Sequence, residues 1–262
     1  MVVLEVRGLV KSFGGLIAVN NLDFNVNKNE LFAIIGPNGA GKTTVFNLIT
    51  AYLKPTKGSI KFQGKDITKL KTYEIAQKGL VRTFQETNVY RDMTVLRNVI
   101  IAHHIHCQAN DWEHFFNTKR AREDNRIIMK NSFEILKFLD LQKVQNQIAR
   151  NLPHGQLRIL EIAMGMAADP KLLLLDEPFT GMNSVEADKL CSVVRSIRDL
   201  GITIVLIEHN MRAVMGLCER IMVISFGKKI AEGKPENIQH NEKVIESYLG
   251  KYDEEEGIRY VF

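Results

Sequence analysis

The chain has 262 residues, 45% of them hydrophobic and 25% charged, the balance of an ordinary globular protein and enough length to bury a sizeable core. Its formal net charge is only +5. With no Lys/Arg block interleaved with aromatics, that small surplus argues against nucleic acid as a partner.

The first residues, 1–7, read as a strand and lack the apolar core of a signal peptide. Residues 4–8 and 22–26 predict strands on either side of a turn at Gly14-Gly15. Residues 30–36 form a short apolar strand that breaks at glycine, and helical spacing follows over 43–51. Residues 58–64 predict another strand bounded by glycines. Helices are expected over 94–104 and 126–139. The near-continuous apolar runs 172–175 and 202–207 are strands of the kind buried on both faces of a parallel sheet, with a crossover helix at 185–200 between them. A late hairpin (221–225 and 228–231) and a final short helix (244–249) complete the pattern. No apolar run is long enough to cross a bilayer. Strands at both ends, with helices dominating roughly 86–165, predict an α/β core carrying an inserted helical subdomain. The expected domain is 1–250, and the acidic tail 251–262 is a solvated end. Cys107, Cys191 and Cys218 are odd in number and far apart, which gives no disulfide framework or metal spacing and points to reduced cytosolic thiols.

Gly36-Pro37-Asn38-Gly39-Ala40-Gly41-Lys42-Thr43, followed by Thr44, has the spacing G-x-x-x-x-G-K-[ST] between an apolar strand and a helix. Glycines let backbone N–H groups converge on a phosphate, and the helix behind them aims its positive end at the anion. Lys42 is expected to bridge the β- and γ-phosphates, and the Thr43 hydroxyl to bind Mg²⁺. The apolar strand 172–175 ends in Asp176 and Glu177. With a phosphate loop elsewhere in the chain, Asp176 is placed to serve the same Mg²⁺, while Glu177 points differently and is placed to polarise an attacking water.

Three further features narrow the reading. Gln85 follows a short strand in Val81-Arg-Thr-Phe-Gln. Leu152-Pro153-His154-Gly155-Gln156 precedes the acidic pair, and His209 ends the strand that begins at 202. In this order the motifs resemble those of the ATPase subunits of ABC transporters, from about residue 3 to 250. The resemblance implies a P-loop NTPase (RecA-like) core with an N-terminal antiparallel β subdomain and an inserted helical subdomain. It assigns Gln85 to sensing Mg²⁺ and coupling to membrane subunits, His209 to the γ-phosphate, and Phe13 to stacking on adenine. It implies that Pro153, His154, Gly155 and Gln156 complete the ATP site of an opposite subunit, and that Gly181-Met182-Asn183 is the segment crossing that interface.

The signature departs from the family pattern. Pro153 stands where serine is usual, without hydroxyl or N–H, and His154 where glycine is usual. Asn183 replaces the more common aspartate. The L-P-aromatic-G-Q pattern with L-E-I-A, together with Met93-Thr-Val-Leu-Arg-Asn and Gly227-Lys-Lys-Ile-Ala-Glu-Gly, is similar to the larger ATPase subunit of branched-chain amino acid importers. Related urea-importer ATPases often carry histidine at the position of His154, so urea or another amide is the alternative cargo. The implied partners are a second ABC ATPase subunit (a paralogue, or else an identical copy), two transmembrane permease subunits and, through them, an extracytoplasmic solute-binding protein. The implied location is the cytoplasmic face of the plasma membrane.

Two other classes are weighed. A soluble ABC ATPase acting on nucleic acid or ribosomes usually has two cassettes or coiled-coil arms, and this chain has one cassette and no sustained heptads. A regulatory module without turnover is opposed by Lys42, Asp176, Glu177 and His209. His103, His104, His106 and His114 crowd one region beside Cys107 at no zinc spacing, so a helix end with a polar loop is expected there. Trp112, Phe115 and Phe116 form a local apolar patch, with docking to membrane subunits as its functional alternative.

Overall fold

A computed structural model describes residues 1–83, 89–107, 111–116 and 118–249. In chain order its elements begin with β1 (Val2–Phe13), β2 (Leu16–Asn27), β3 (Leu31–Ile35), α1 (Lys42–Ile49), β4 (Lys57–Phe62) and β5 (Lys65–Asp66). There follow α2 (Thr72–Gln77), β6 (Leu80–Arg82), α3 (Val95–His103), α4 (Asp111–Phe115), α5 (Lys119–Phe138) and α6 (His154–Ala167). The chain continues through β7 (Leu172–Asp176), α7 (Ser184–Asp199), β8 (Thr203–Ile207), α8 (Met211–Leu217), β9 (Arg220–Ser225), β10 (Lys228–Gly233), α9 (Pro235–Gln239) and α10 (Glu242–Leu249). The described residues divide into two compact units, those within 1–72 with 203–249 and those within 73–202.

The first unit holds an antiparallel sheet in the order β2-β1-β4-β5. Leu4 and Val6 of β1 and Leu22, Phe24 and Val26 of β2 are buried in the period-2 alternation of a sheet with one face in the core, and a register shift after Val6 brings Leu9 to the same buried side. Both strands run to 12 residues, well past the expected 4–8 and 22–26. The added ends, such as Phe13, Leu16 and Ile17, are exposed and mix polar with apolar residues, which hides the alternation. Parallel strands β8 and β9 flank β3, and β10 closes the hairpin with β9. Every residue of β3 and β8 is buried, as continuous apolar runs in a parallel sheet require. Arg220 at the start of β9 donates to both carboxylate oxygens of Glu30, at 2.7 and 3.0 Å, and to Glu232. That cluster ties the turn before β3 to the β9–β10 hairpin.

In the second unit β6 lies parallel to β7, with Arg82 opposite Leu174. α3 packs on α5 and α6, and α5 on α6. The expected helix 126–139 is α5, which starts earlier, at Lys119, where the Thr118 side chain accepts from Ala121 N. Its first two turns are charged and bury only Ala121, so they carry no apolar period. The helix expected at 185–200 is α7.

Candidate functional site

In the first unit, β3 delivers the chain to Gly36 at its carboxyl end. A Cβ there would lie 2.1 Å from the Ile224 carbonyl oxygen, so only glycine allows this approach. Gly41 has φ 102, and a Cβ would meet the Ala18 carbonyl oxygen at 2.5 Å. The loop between them is tied down by Ala40 N to Pro37 O (3.1 Å) and Gly227 N to Ala40 O (2.9 Å). Gly41 is the N-cap of α1, which has no side-chain cap and no acidic residue in its first turn. Its first amides and its dipole are therefore directed at whatever anion enters the loop. The Lys42 side chain is buried, and its ammonium donates to the carbonyls of Gly36 (2.7 Å) and Pro37 (3.0 Å), which places the charge over the loop. Thr43 is exposed and Thr44 half-buried at the same helix start.

The hairpin that carries Phe13 borders this loop through Ala18. Phe13 is 46% exposed, with the Lys11 ammonium 5.0 Å from its ring centre. A flat, accessible ring at this place is free to take a purine on one face. His209 follows β8, and the pairing of Ile34 with Ile207 puts the ends of β3 and β8 at one edge of the sheet, where α/β folds bind ligands. His209 is exposed, while Glu208 is 2% exposed and accepts from the backbone N–H of His209 (2.9 Å) and Asn210 (3.1 Å). Glu208 thus shapes the turn that presents His209, a role that no local sequence pattern marks. Tyr248 on α10 is not marked by one either. Its hydroxyl is buried and faces the backbone of Gly36. Burial pushes its pKa up to about 12, a rise only partly offset by the Gly36 amide.

In the second unit, Asp176 ends β7 and is 2% exposed, with Arg82 Nη2 at 2.6 Å from its Oδ2. Glu177, half-buried, takes φ 48, the left-handed region that costs a non-glycine residue roughly 1 kcal/mol or more. It is turned out of the strand direction, and the Thr180 hydroxyl approaches its Oε2 at 3.5 Å. Strain of this kind concentrates where a side chain must be aimed.

α6 begins at His154 with Pro153 as N-cap and no side-chain cap, so His154, Gly155 and Gln156 form its first turn. A Cβ on Gly155 would lie 3.0 Å from Glu186 Oε1, and one on Gly181 (φ 77) 3.2 Å from His154 Cε1. The start of α6 and the segment Gly181-Met182-Asn183 are therefore packed together. Asn183 caps α7 in a reciprocal box, its Oδ1 accepting from Glu186 N (3.0 Å) while its own N–H donates to Glu186 Oε2 (3.1 Å). Asparagine does this as well as aspartate. Gln85 lies outside the described residues, as does the acidic tail.

The Thr43 hydroxyl of the first unit and the Asp176 carboxylate of the second are each hard oxygen donors of the kind Mg²⁺ takes. Among the described residues no group of three His, Cys, Asp or Glu could hold a metal ion. In the second unit, Trp112, Phe115 and Phe116 are 72%, 78% and 69% exposed and touch one another, Trp112 stacked on Phe116 and Phe115 edge-on to both, centroids 5.2 to 6.5 Å apart.

The family model described as ABC transporter matches residues 19–180. The chain belongs to the ABC transporter family. A second model, the branched-chain amino acid ATP-binding cassette transporter, matches residues 228–254, the stretch that contains β10, α9 and α10. The cassette is 41% identical over 250 residues to the high-affinity branched-chain amino acid transport ATP-binding protein BraF of Pseudomonas aeruginosa, covering 95% of this chain and 98% of that one. It is 40% identical over 249 residues to the corresponding protein LivG of Escherichia coli, with the same coverage. Among solved structures it is similar to a nucleotide-free ATP-binding cassette from an ABC transporter (TM-score 0.85, 32% identity, 96% of this chain and 100% of that one). It is also similar to the ADP conformation of an ATP-binding cassette of an ABC transporter (TM-score 0.84, 33% identity, 96% and 100%). This cassette is an ATPase of the ABC type, and ATP is its nucleotide. Among its described residues no helix is long and apolar enough to cross a membrane.

Proposed function

We propose that this cassette powers an importer of branched-chain amino acids. The observation that carries the reading is the uncapped start of α1 behind a glycine loop, with Lys42 held over it, in a chain about 40% identical along nearly its whole length to branched-chain amino acid transport ATP-binding proteins. ATP lies along Gly36–Thr44 with its adenine against Phe13. Backbone N–H groups of the loop and the Lys42 ammonium bind the phosphates. Thr43, Gln85 and Asp176 would hold Mg²⁺, which would supply charge neutralisation to the phosphates. Glu177 orients the attacking water, and His209, presented by the turn that Glu208 shapes, contacts the γ-phosphate.

A second cassette, a paralogue or another copy, closes over the nucleotide with its own counterpart of Pro153–Gln156. The first-turn amides of α6 do the same for the partner's nucleotide. Because those donors are backbone groups at a helix start, the missing serine hydroxyl at Pro153 leaves them in place. Closure excludes water and sets fixed dipoles against the developing charge. Two permease subunits, docked on the helical unit at the cytoplasmic face of the membrane, convert closing and reopening into alternating access. The exposed cluster of Trp112, Phe115 and Phe116 belongs to that docking face.

The test is the ATPase rate of the complete assembly (this cassette, its partner cassette and the permease) in lipid vesicles with a solute-binding protein. Stimulation by leucine and not by urea is the expected result. Stimulation by urea alone would overturn the cargo.

A further inference from the structure

Strand β6 is only three residues long, and its last residue is an arginine whose side chain is 6% exposed. Arginine is almost never buried unless paired. Here the partner is Asp176, whose side chain is 0% exposed, with Arg82 Nη2 at 2.6 Å from its Oδ2. The register places Arg82 opposite Leu174, two positions before Asp176 on the parallel strand, so its side chain reaches forward along the strand direction to the carboxylate. The next residue continues the ladder, Thr83 N donating to Leu174 O at 2.9 Å, which anchors the arginine's backbone.

A buried ion pair of this kind is a poor device for stability, because a well-packed apolar pair does as well or better. It is a good device for orientation. A guanidinium is planar and directional where an ammonium is a point charge, and a short charge-assisted hydrogen bond fixes the carboxylate's rotation about its last torsion. Partners of metal-ligating groups act in this way elsewhere, and their loss weakens metal binding.

We propose that Arg82 is a positioning residue for Asp176, holding its carboxylate in the orientation that meets the nucleotide's Mg²⁺. The inference rests on the reading of Asp176 as the metal carboxylate. It also gives the strand leading into Gln85 a direct grip on the metal site.

The test is Mn²⁺ binding to the purified full-length chain in the presence of ATP, followed by electron paramagnetic resonance. The proteins compared are wild type, Arg82→Gln, Arg82→Lys, Asp176→Asn and the Arg82→Gln/Asp176→Asn double variant. Metal-free ATP affinity and a melting curve are recorded for each. Arg82→Gln should weaken Mn²⁺ binding by about 10-fold or more, while metal-free ATP affinity stays within about 2-fold. Arg82→Lys should recover part of the loss. The double variant should be no worse than Asp176→Asn alone, because the two residues act as one unit. Unchanged or tighter Mn²⁺ binding in Arg82→Gln would overturn the proposal, as would equal loss of metal-free ATP affinity. If Arg82→Gln does not fold, Arg82→Lys decides, since Mn²⁺ binding equal to wild type at an unchanged melting temperature contradicts it. An Asp176→Asn variant that binds Mn²⁺ as wild type does would instead remove the metal role of Asp176 itself.

Discussion

Lys42 shows how a single charge is prepared for its ligand. Its ammonium is held among the carbonyls of Gly36 and Pro37 inside a loop in which Gly36 and Gly41 leave no room for a Cβ. Those carbonyls satisfy the donor groups without cancelling the charge, so phosphate oxygens can take their place at little desolvation cost. Lys42→Ala should therefore lose one or more charge-assisted hydrogen bonds, each worth about 1.5–3 kcal/mol, and weaken ATP binding roughly 10- to 100-fold by calorimetry. Undiminished affinity would count against the loop as the phosphate site. Glu177 and Glu208 divide two other tasks. Glu177 is strained at φ 48 and aimed away from its strand, whereas Glu208 is buried and spends its carboxylate on backbone N–H groups. Acids just past strand ends look alike in a sequence, and only the backbone conformation tells the aimed side chain from the scaffolding one.

Elements differ in how far the sequence disclosed them, and the reason is the range of the forces that shape them. β3, β7 and β8 are continuous apolar runs bounded by Gly or acid, and the phosphate loop is defined by spacing within eight residues, so both are local patterns. The start of α5 is charged and exposed and carries no period. The Arg82–Asp176 pair joins residues 94 positions apart, and no local pattern records it. The same holds for α10. Residues 244–249 predict a helix there, but nothing in them announces that Tyr248 ends against Gly36.

That contact has a consequence for the helix's stability at high pH. An ordinary tyrosine ionises near 10, and burial raises Tyr248 to about 12. Between those values the unfolded chain gives up a proton that the folded chain keeps. Stability from the neutral phenol is thus complete below about pH 10 and is lost as pH rises through about 12. From pH 9 to pH 11, urea denaturation should show wild type losing about 1 kcal/mol more than Tyr248→Phe. Equal losses would mean that the hydroxyl is not buried against the loop.

At the scale of the whole molecule, the family, the fold and the nucleotide were legible because a few short motifs occur in a fixed order. The cargo was legible only as a resemblance, since the pocket that chooses the solute is not part of a cassette. In the proposed cycle the cassette closes on ATP and reopens after hydrolysis, and one side chain separates the two halves. Glu177→Gln keeps the shape of the site and removes the carboxylate proposed to orient water. The decisive measurement is ATP turnover by the Glu177→Gln assembly, with its oligomeric state followed by size-exclusion chromatography. The account predicts ATP binding as in wild type, turnover lower by about 100-fold or more, and cassettes that remain paired while ATP is present. Turnover near the wild-type rate would contradict it.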